Sequence, residues 1–183
     1  PPSEAKTKTL VYYQDNIHDF AWFADKRYNI LEGKVKLPNS GREVTIWSML
    51  TGTPGVLERW WESSLTDISN SIYYHSLWLG DYPYDQVTAL TGELEVEEAM
   101  GMEYPMITVT SEDAIVHEVG HNWFYGIIGT NERDHPWMDE GLTTFYEDRI
   151  QQKVNNVGPL KEDMDVNFLS KLFNLDKLSV KSL

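Results

Sequence analysis

The sequence predicts an α+β fold, in which a small strand-rich half is followed by a helical half. Three segments, at 44–50, 87–90 and 104–110, have the side-chain alternation or the β-branched content of strands. Helix signals then dominate from about residue 111 onward. Strands that come mainly before helices, in separate parts of one chain, are typical of the α+β class.

The first elements are a strand at 7–13, rich in β-branched and aromatic residues, and an alternating strand that ends at Leu50. Thr53 then predicts a helix cap and Pro54 the first helical position. Apolar residues recur at helical spacing up to Leu79, so we expect one long amphipathic helix. Gly80 ends this helix.

The remaining elements follow a short strand at 87–90. Pro105 marks the strand at 104–110 as an edge or irregular strand, because proline cannot donate a ladder hydrogen bond. An edge strand beside a groove could bind a peptide by backbone pairing. Three further helices are expected, and they run from 111 to about 125, from about 139 to 153, and from 160 to 175.

Composition excludes several classes of function. The 183 residues carry a net charge of −14, which disfavours nucleic acid as a partner. No run of eighteen apolar residues is present, so we expect no membrane span. The chain has no cysteine, so any metal ligands must be histidine and carboxylate, a set that suits a catalytic zinc better than a closed structural one.

The most informative motif is His117-Glu118-Val119-Gly120-His121, which fits the pattern H-E-x-x-H within a predicted helix. Histidines four positions apart share one helix face, so both rings can reach one metal ion. Glu118 lies beside them and is placed to act as a general base on water rather than as a ligand. The alternative is a solvated helix with two ordinary histidines. His18 and His75 lack such spacing, and we expect both to be structural.

A catalytic zinc needs a third protein ligand and an open fourth position. Glu140, in the first turn of the next predicted helix, meets that need. Glu147 lies two helical turns further on the same face and could orient a ligand histidine by a hydrogen bond. A plain surface carboxylate is an equally good interpretation of Glu147.

These residues resemble the gluzincin aminopeptidases, a family of zinc peptidases. The resemblance covers roughly residues 45 to 155 and includes the stretches His121–Gly126 and Trp137–Glu147. It implies a thermolysin-like catalytic domain with the Zn²⁺ site between the strand-rich and helical halves. It also implies that residues 1–40 are an appendage resembling the end of a missing amino-terminal β domain, and that 41–183 form the catalytic domain.

The same resemblance implies the substrate class. Gly101, Met102 and Glu103 resemble the family motif G-x-M-E-N, whose glutamate holds the free amino group of a peptide. Tyr104-Pro105 stands where the motif has asparagine, which leaves the fine substrate preference open. We therefore expect peptides with a free amino terminus as substrates, removed residue by residue from that end.

The family also has a tyrosine that stabilises the tetrahedral intermediate, well downstream of the third ligand. The chain ends 43 residues after Glu140, so we expect a catalytic domain truncated at its carboxyl end, lacking flanking domains and poorly active by itself. Two alternatives stay open. One is a zinc endopeptidase in which Glu103 is structural, and the other is a non-hydrolytic peptide-binding domain.

Overall fold

A five-stranded mixed sheet is the framework of the fold. The computed structural model describes residues 7–92 and 101–155. Along the sheet the strands lie in the order β1-β2-β3-β5-β4. Their bounds are Asn29–Lys36 (β1), Glu43–Leu50 (β2), Gln86–Leu90 (β3), Gly101–Met102 (β4) and Ile107–Thr110 (β5).

The middle of this sheet is parallel and its two edges are antiparallel. β2, β3 and β5 run parallel to one another, and the outer strands β1 and β4 run in the opposite direction. β1 pairs with β2 over eight residues, from Asn29 with Leu50 to Lys36 with Glu43. The predicted domain boundary at residue 40 stays a prediction, although the sheet extends across it.

The long helix α1, Pro54–Leu79, connects β2 to β3 and packs on one face of the sheet. Thr53 caps it with an extended backbone, as predicted, although its side chain makes no capping hydrogen bond. Gly80 ends the helix with φ of +113°, a conformation that favours glycine. A Cβ on Gly33 of β1 would lie 3.1 Å from Ile46 of β2 and 3.4 Å from Leu65 of α1, so the neighbouring strand comes closest to this glycine.

The helical half follows β5. A 3₁₀ turn at Glu112–Ala114 leads into α2, Ile115–His121, and the helix continues as a π-helical segment, Asn122–Ile127. After a loop and a second 3₁₀ turn, α3 extends over Glu140–Val154. Because α2 packs against α1, α3 and the sheet, nearly all its side chains are buried. The α+β class and the thermolysin-like division into two halves are confirmed.

Two predicted strands differ from the structure. Residues 7–13 form no strand, and the side chains at 10–13 are 56–89% exposed, because strand-forming residues need a partner strand and this segment has none among the described residues. The strand predicted at 104–110 begins only at Ile107 and is not an edge, since β4 lies outside it. Met106, just before it, has φ of +65°.

The helix predicted at 160–175 lies outside the described residues. Within 7–92 and 101–155, no helix is long and apolar enough to cross a membrane.

Candidate metal centre

Three side chains from α2 and α3 bring their donor atoms together. His117 Nε2 lies 3.0 Å from His121 Nε2 and 3.1 Å from Glu140 Oε2, and His121 Nε2 lies 3.6 Å from that oxygen. Ligands at the usual zinc distances of about 2.0–2.2 Å form a tetrahedron with edges of about 3.3–3.6 Å. The triangle formed by these three donors therefore has the size of one tetrahedral face, and the residues present fit zinc.

The other ring nitrogen of each histidine is bonded to a group on α3 or at its start. His117 Nδ1 lies 3.0 Å from Glu147 Oε2. His121 Nδ1 contacts the buried carboxylate of Asp139 and lies 3.3 Å from Thr143 Oγ1. Such partners fix the ring orientation and the tautomer, which leaves Nε2 free for a metal.

Asp139 was not among the residues that the sequence pointed to. The one sequence feature that could have indicated Asp139 is its position directly before Glu140, at the amino-terminal end of α3, where the helix dipole favours a carboxylate. Sequence spacing alone does not show that this carboxylate turns back towards His121.

Carboxylates also determine the protonation of the two histidines in the metal-free chain. Burial opposes a charged ring, yet the contacts with Glu140 and Glu147 raise the pKa of His117 to about 9. Burial acts in the same direction on His121, and Asp139 and Glu140 raise its pKa to about 10. The hydrogen bonds from both histidines lower the pKa of Glu140 well below its usual range. These acidic neighbours favour positive charge where the two Nε2 atoms and the Glu140 oxygen meet.

Glu118 lies on α2 beside this triangle and is only 7% exposed. Its Oε2 has no hydrogen-bond partner within the described part of the chain. Burial raises the pKa of this carboxyl to about 7, against the opposing effect of the two histidines. A buried carboxylate with an unused oxygen and a pKa near neutrality suits proton transfer to and from a reacting group.

The residues that resemble the family's substrate-binding motif approach the candidate metal site from the sheet. Gly101 and Met102 form β4, and Glu103 follows it. A carboxylate oxygen of Glu103 lies within 4.8 Å of a His121 ring nitrogen and of an Asp139 oxygen. Burial raises the pKa of Glu103, and the Asp139 carboxylate contributes to this.

Glu132, in the loop between α2 and α3, is a further acidic residue that sequence reasoning missed. Burial raises the pKa of its carboxyl, and the neighbouring Asp139 raises it further, while Glu103 forms a hydrogen bond with it. Several carboxyl groups therefore converge here, and a cationic group would relieve their mutual repulsion.

The two remaining histidines of interest lie outside the triangle. His75 is fully buried in α1, stacked on Trp123, and its Nδ1 bonds to the Ser71 carbonyl at 2.8 Å. His18 Nε2 lies 3.2 Å from the Tyr125 carbonyl. Both have the packing and hydrogen-bonding environments expected of structural histidines.

A family model and two curated proteins match parts of this chain. A model of the peptidase family M1 domain matches residues 105–182. Leucine aminopeptidase 2 of Coccidioides immitis is 32% identical over 65 residues, which cover 30% of this chain and 10% of that protein. Leucine aminopeptidase 2 of Phaeosphaeria nodorum is 34% identical over 61 residues, covering 28% and 10%. The matched segment thus spans a tenth of the length of these curated relatives.

Solved structures share the fold at low sequence identity. An M1 zinc metallopeptidase variant from Deinococcus radiodurans, bound to a Tyr-Ser-Ala substrate, aligns with a TM-score of 0.55 at 17% identity, over 81% of this chain and 33% of that one. Aminopeptidase A of Legionella pneumophila, in complex with aspartic acid, gives 0.54 at 12% identity, over 69% and 16%. A two-domain M1 zinc metallopeptidase variant bound to L-arginine gives 0.51 at 17% identity, over 79% and 32%.

At these identities the structural likeness shows the fold alone, and the family model and the curated relatives match part of the chain. Together they confirm the predicted resemblance of this chain to the gluzincin aminopeptidases of peptidase family M1.

Proposed function

We propose that the chain forms the zinc-binding catalytic part of an aminopeptidase, which removes amino-terminal residues from peptides. The observation that carries the proposal is the triangle of His117, His121 and Glu140 donor atoms, with edges of 3.0–3.6 Å. An acid–base residue and a substrate clamp, Glu118 and Glu103, lie at the same site.

Zinc held by the three donors would supply a Lewis acid that polarises both a water molecule and the scissile carbonyl. Glu118 then takes a proton from the attacking water and passes it to the leaving amine. The raised pKa of Glu118, about 7 in the metal-free chain, supports both halves of this role. Asp139 and Glu147 keep the two histidine rings in the orientation that ligation requires.

Glu103 binds the free amino group of the peptide. Glu103 is partly buried and lies close to Asp139 and Glu132, so several acidic groups face this position. An ammonium group is the cation that every unblocked peptide carries at its amino terminus. Binding this group sets the position of the first peptide bond relative to Glu118, which limits cleavage to one residue.

The zinc part of the proposal is tested by titrating chelator-treated protein with Zn²⁺ and measuring metal content after dialysis. We expect one zinc per chain in the unaltered protein. The variant Glu118→Gln should also bind one zinc, while its turnover falls by roughly 10²–10⁴-fold, since only the base is lost. Absence of zinc uptake by the unaltered protein would contradict the proposal.

The substrate part is tested with pairs of peptides that differ only in an acetyl group on the amino terminus. Glu103→Ala should weaken cleavage of the free peptide by about ten- to a hundred-fold, the value of one charge-assisted hydrogen bond, and leave the acetylated peptide unaffected. Glu43→Gln is the matched control, because Glu43 lies exposed on β2, paired with Lys34. Equal loss on both peptides would favour an endopeptidase, and zinc binding without cleavage by the full-length parent would favour a binding domain.

A further inference from the structure

We propose that Gly101 is a positioning residue for Glu118, because the absence of a side chain on β4 leaves the space in which the acid–base carboxylate lies. A Cβ atom at Gly101 would stand 2.1 Å from Glu118 Oε1, 2.2 Å from its Cδ and 2.6 Å from its Cγ. Ordinary contacts between such atoms are about 3.5–4.0 Å. This inference rests on the proposed function and adds a steric role for Gly101 to its role in substrate binding.

The need for glycine at this position is steric rather than conformational. Gly101 is in a strand, paired with Thr110 of β5, and its φ is not in the left-handed region. Any residue could adopt that backbone. By contrast, Gly80 and Gly129 have positive φ angles and open space around them. Of the described glycines, Gly101 is thus the one whose Cβ would overlap a reactive carboxylate.

Glu118 cannot move aside without losing its place. Rotating the carboxylate about its last bond leaves Cδ and Cγ in the overlap, so the whole side chain would have to adopt another rotamer. The residue is 93% buried, between β4 and the ligand histidines, so an alternative rotamer would collide with its neighbours. If β4 moved instead, Glu103 would move with it.

The steric coupling can be measured without any activity, by a double-mutant cycle on thermal unfolding of the chelator-treated protein. Gly101→Ala should lower Tm by about 2–10 °C when Glu118 is present. In the Glu118→Ala background the overlapping atoms are gone, and the same change should shift Tm by less than about 1 °C. Gly55→Ala is a control for adding a methyl group in open space, since a Cβ there meets nothing within 4 Å, and the helix preference of alanine should keep or raise its Tm.

Equal Tm losses in both backgrounds would overturn the inference. If Gly101→Ala does not fold, the double variant Gly101→Ala/Glu118→Ala should fold, and failure of both would also overturn it. The positioning role adds a kinetic readout: Gly101→Ala should lower kcat by about 10²-fold with KM and zinc content nearly unchanged, as a misplacement of about 1 Å does. A rise in KM alone would leave Gly101 with substrate binding only.

The cycle also separates this inference from the proposed function. Coupling in Tm does not require that Glu118 be a base. Coupling in Tm with an unchanged kcat would therefore show the contact but overturn its role in positioning. Loss of kcat in Glu118→Gln, together with additive Tm changes, would support the function and overturn the inference.

Discussion

The histidines packed against α2 fall into two sets that differ in whether the ring is protonated near neutral pH: His75, which faces Gly120, and the pair His117 and His121. His75 on α1 and His121 on α2 are both almost fully buried. Burial lowers the pKa of His75 to about 4. His121 experiences the same opposing effect of burial, yet Asp139 and Glu140 raise its pKa to about 10. Neighbouring carboxylates, not burial, decide which imidazole is charged.

This difference explains why a metal would bind at His117 and His121 and not at His75. The environment that holds protons on His117 and His121 is a negative one, and zinc replaces those protons with a larger positive charge. His75 has a ring nitrogen, Nε2, without a hydrogen-bond partner among the described residues. No carboxylate among the described residues contributes to its pKa, so it would gain little from a cation. The ligand candidates in the described part of this chain are the histidines with acidic partners, His117 and His121.

The largest expected effect is the difference in zinc affinity between a substitution of a proposed ligand, Glu140, and a substitution of His75. Glu140→Gln should lower zinc affinity by more than the 10–100-fold that is typical of losing an outer-shell partner. His75→Gln should leave zinc affinity unchanged and reduce only stability. Isothermal titration of both variants provides the measurement. A loss of zinc binding in the His75 variant would place His75 in the same metal site as His117 and His121.

The stability of the metal-free chain should depend on pH with opposite slopes for the two sets. The folded-state pKa of His75, about 4, is below the unfolded value of 6.5, so its contribution is complete above pH 6.5 and is lost towards pH 4. His117 and His121 have raised pKa values, about 9 and 10, so their contribution is complete below pH 6.5 and is lost as pH rises through those values.

Urea unfolding between pH 4.5 and 10 measures each contribution as the difference between the unaltered protein and a variant, because the raised pKa of Glu118, about 7, opposes the slope of His75 below pH 6.5. His75→Gln should remove the rise in stability that His75 contributes as pH increases to 6.5, which corresponds to about 3 kcal/mol over its full range. Glu140→Gln should reduce the loss of stability above pH 6.5. A single monotonic profile, unchanged by either substitution, would contradict the assignment of these charges.

The predictable part of the site followed from local spacing. His117 and His121 are four residues apart in one helix, so their common face did not depend on tertiary structure. Glu140 and Glu147 on α3 required only that two helices meet. Asp139 and Glu132 were missed because their roles depend on how the chain turns before α3, which no periodicity encodes.

The fold shows the same division between local and long-range information. α1 was predictable from Thr53, Pro54 and Gly80, which act within a few residues. β1 was missed because Gly33 interrupts its apolar face, and a Cβ there would first meet Ile46 of the neighbouring strand β2. The strand predicted at 7–13 had the composition of a strand without a partner, and strand pairing is a long-range property.

A smaller effect is expected from substituting Glu147, one of the two carboxylates that contact the His117 ring. Glu147→Gln keeps the size of the side chain but removes its charge, so the pKa of His117 should fall from about 9 towards its ordinary value. Zinc affinity should fall by about 10–100-fold. Titration of the His117 ring by NMR, together with zinc calorimetry, measures both. An unchanged pKa would make Glu147 a surface carboxylate.

The smallest effect concerns Gly120, the residue of α2 that touches the His75 side. A Cβ there would lie 3.0 Å from His75 Cε1, 3.1 Å from His75 Nε2 and 3.2 Å from Thr143 Cγ2. Alanine favours a helix over glycine by about 1 kcal/mol, whereas overpacking a rigid core costs about 1–3 kcal/mol. His75 is stacked on Trp123 and cannot retreat, so Gly120→Ala should lower the unfolding free energy by about 1 kcal/mol.

Whether Gly120→Ala stabilises or destabilises the protein is the more decisive test, because the sign depends on contact with the His75 ring and not on the helix preference of alanine. In a His75→Ala background the two shortest contacts are absent, and the helix preference of alanine remains. Gly120→Ala should then be neutral or stabilising, by up to about 1 kcal/mol in urea unfolding. An equal loss in both backgrounds would trace the cost to Thr143 instead. Zinc affinity should not change in either background, because a close contact on the His75 side leaves the His117 and His121 donors where they are.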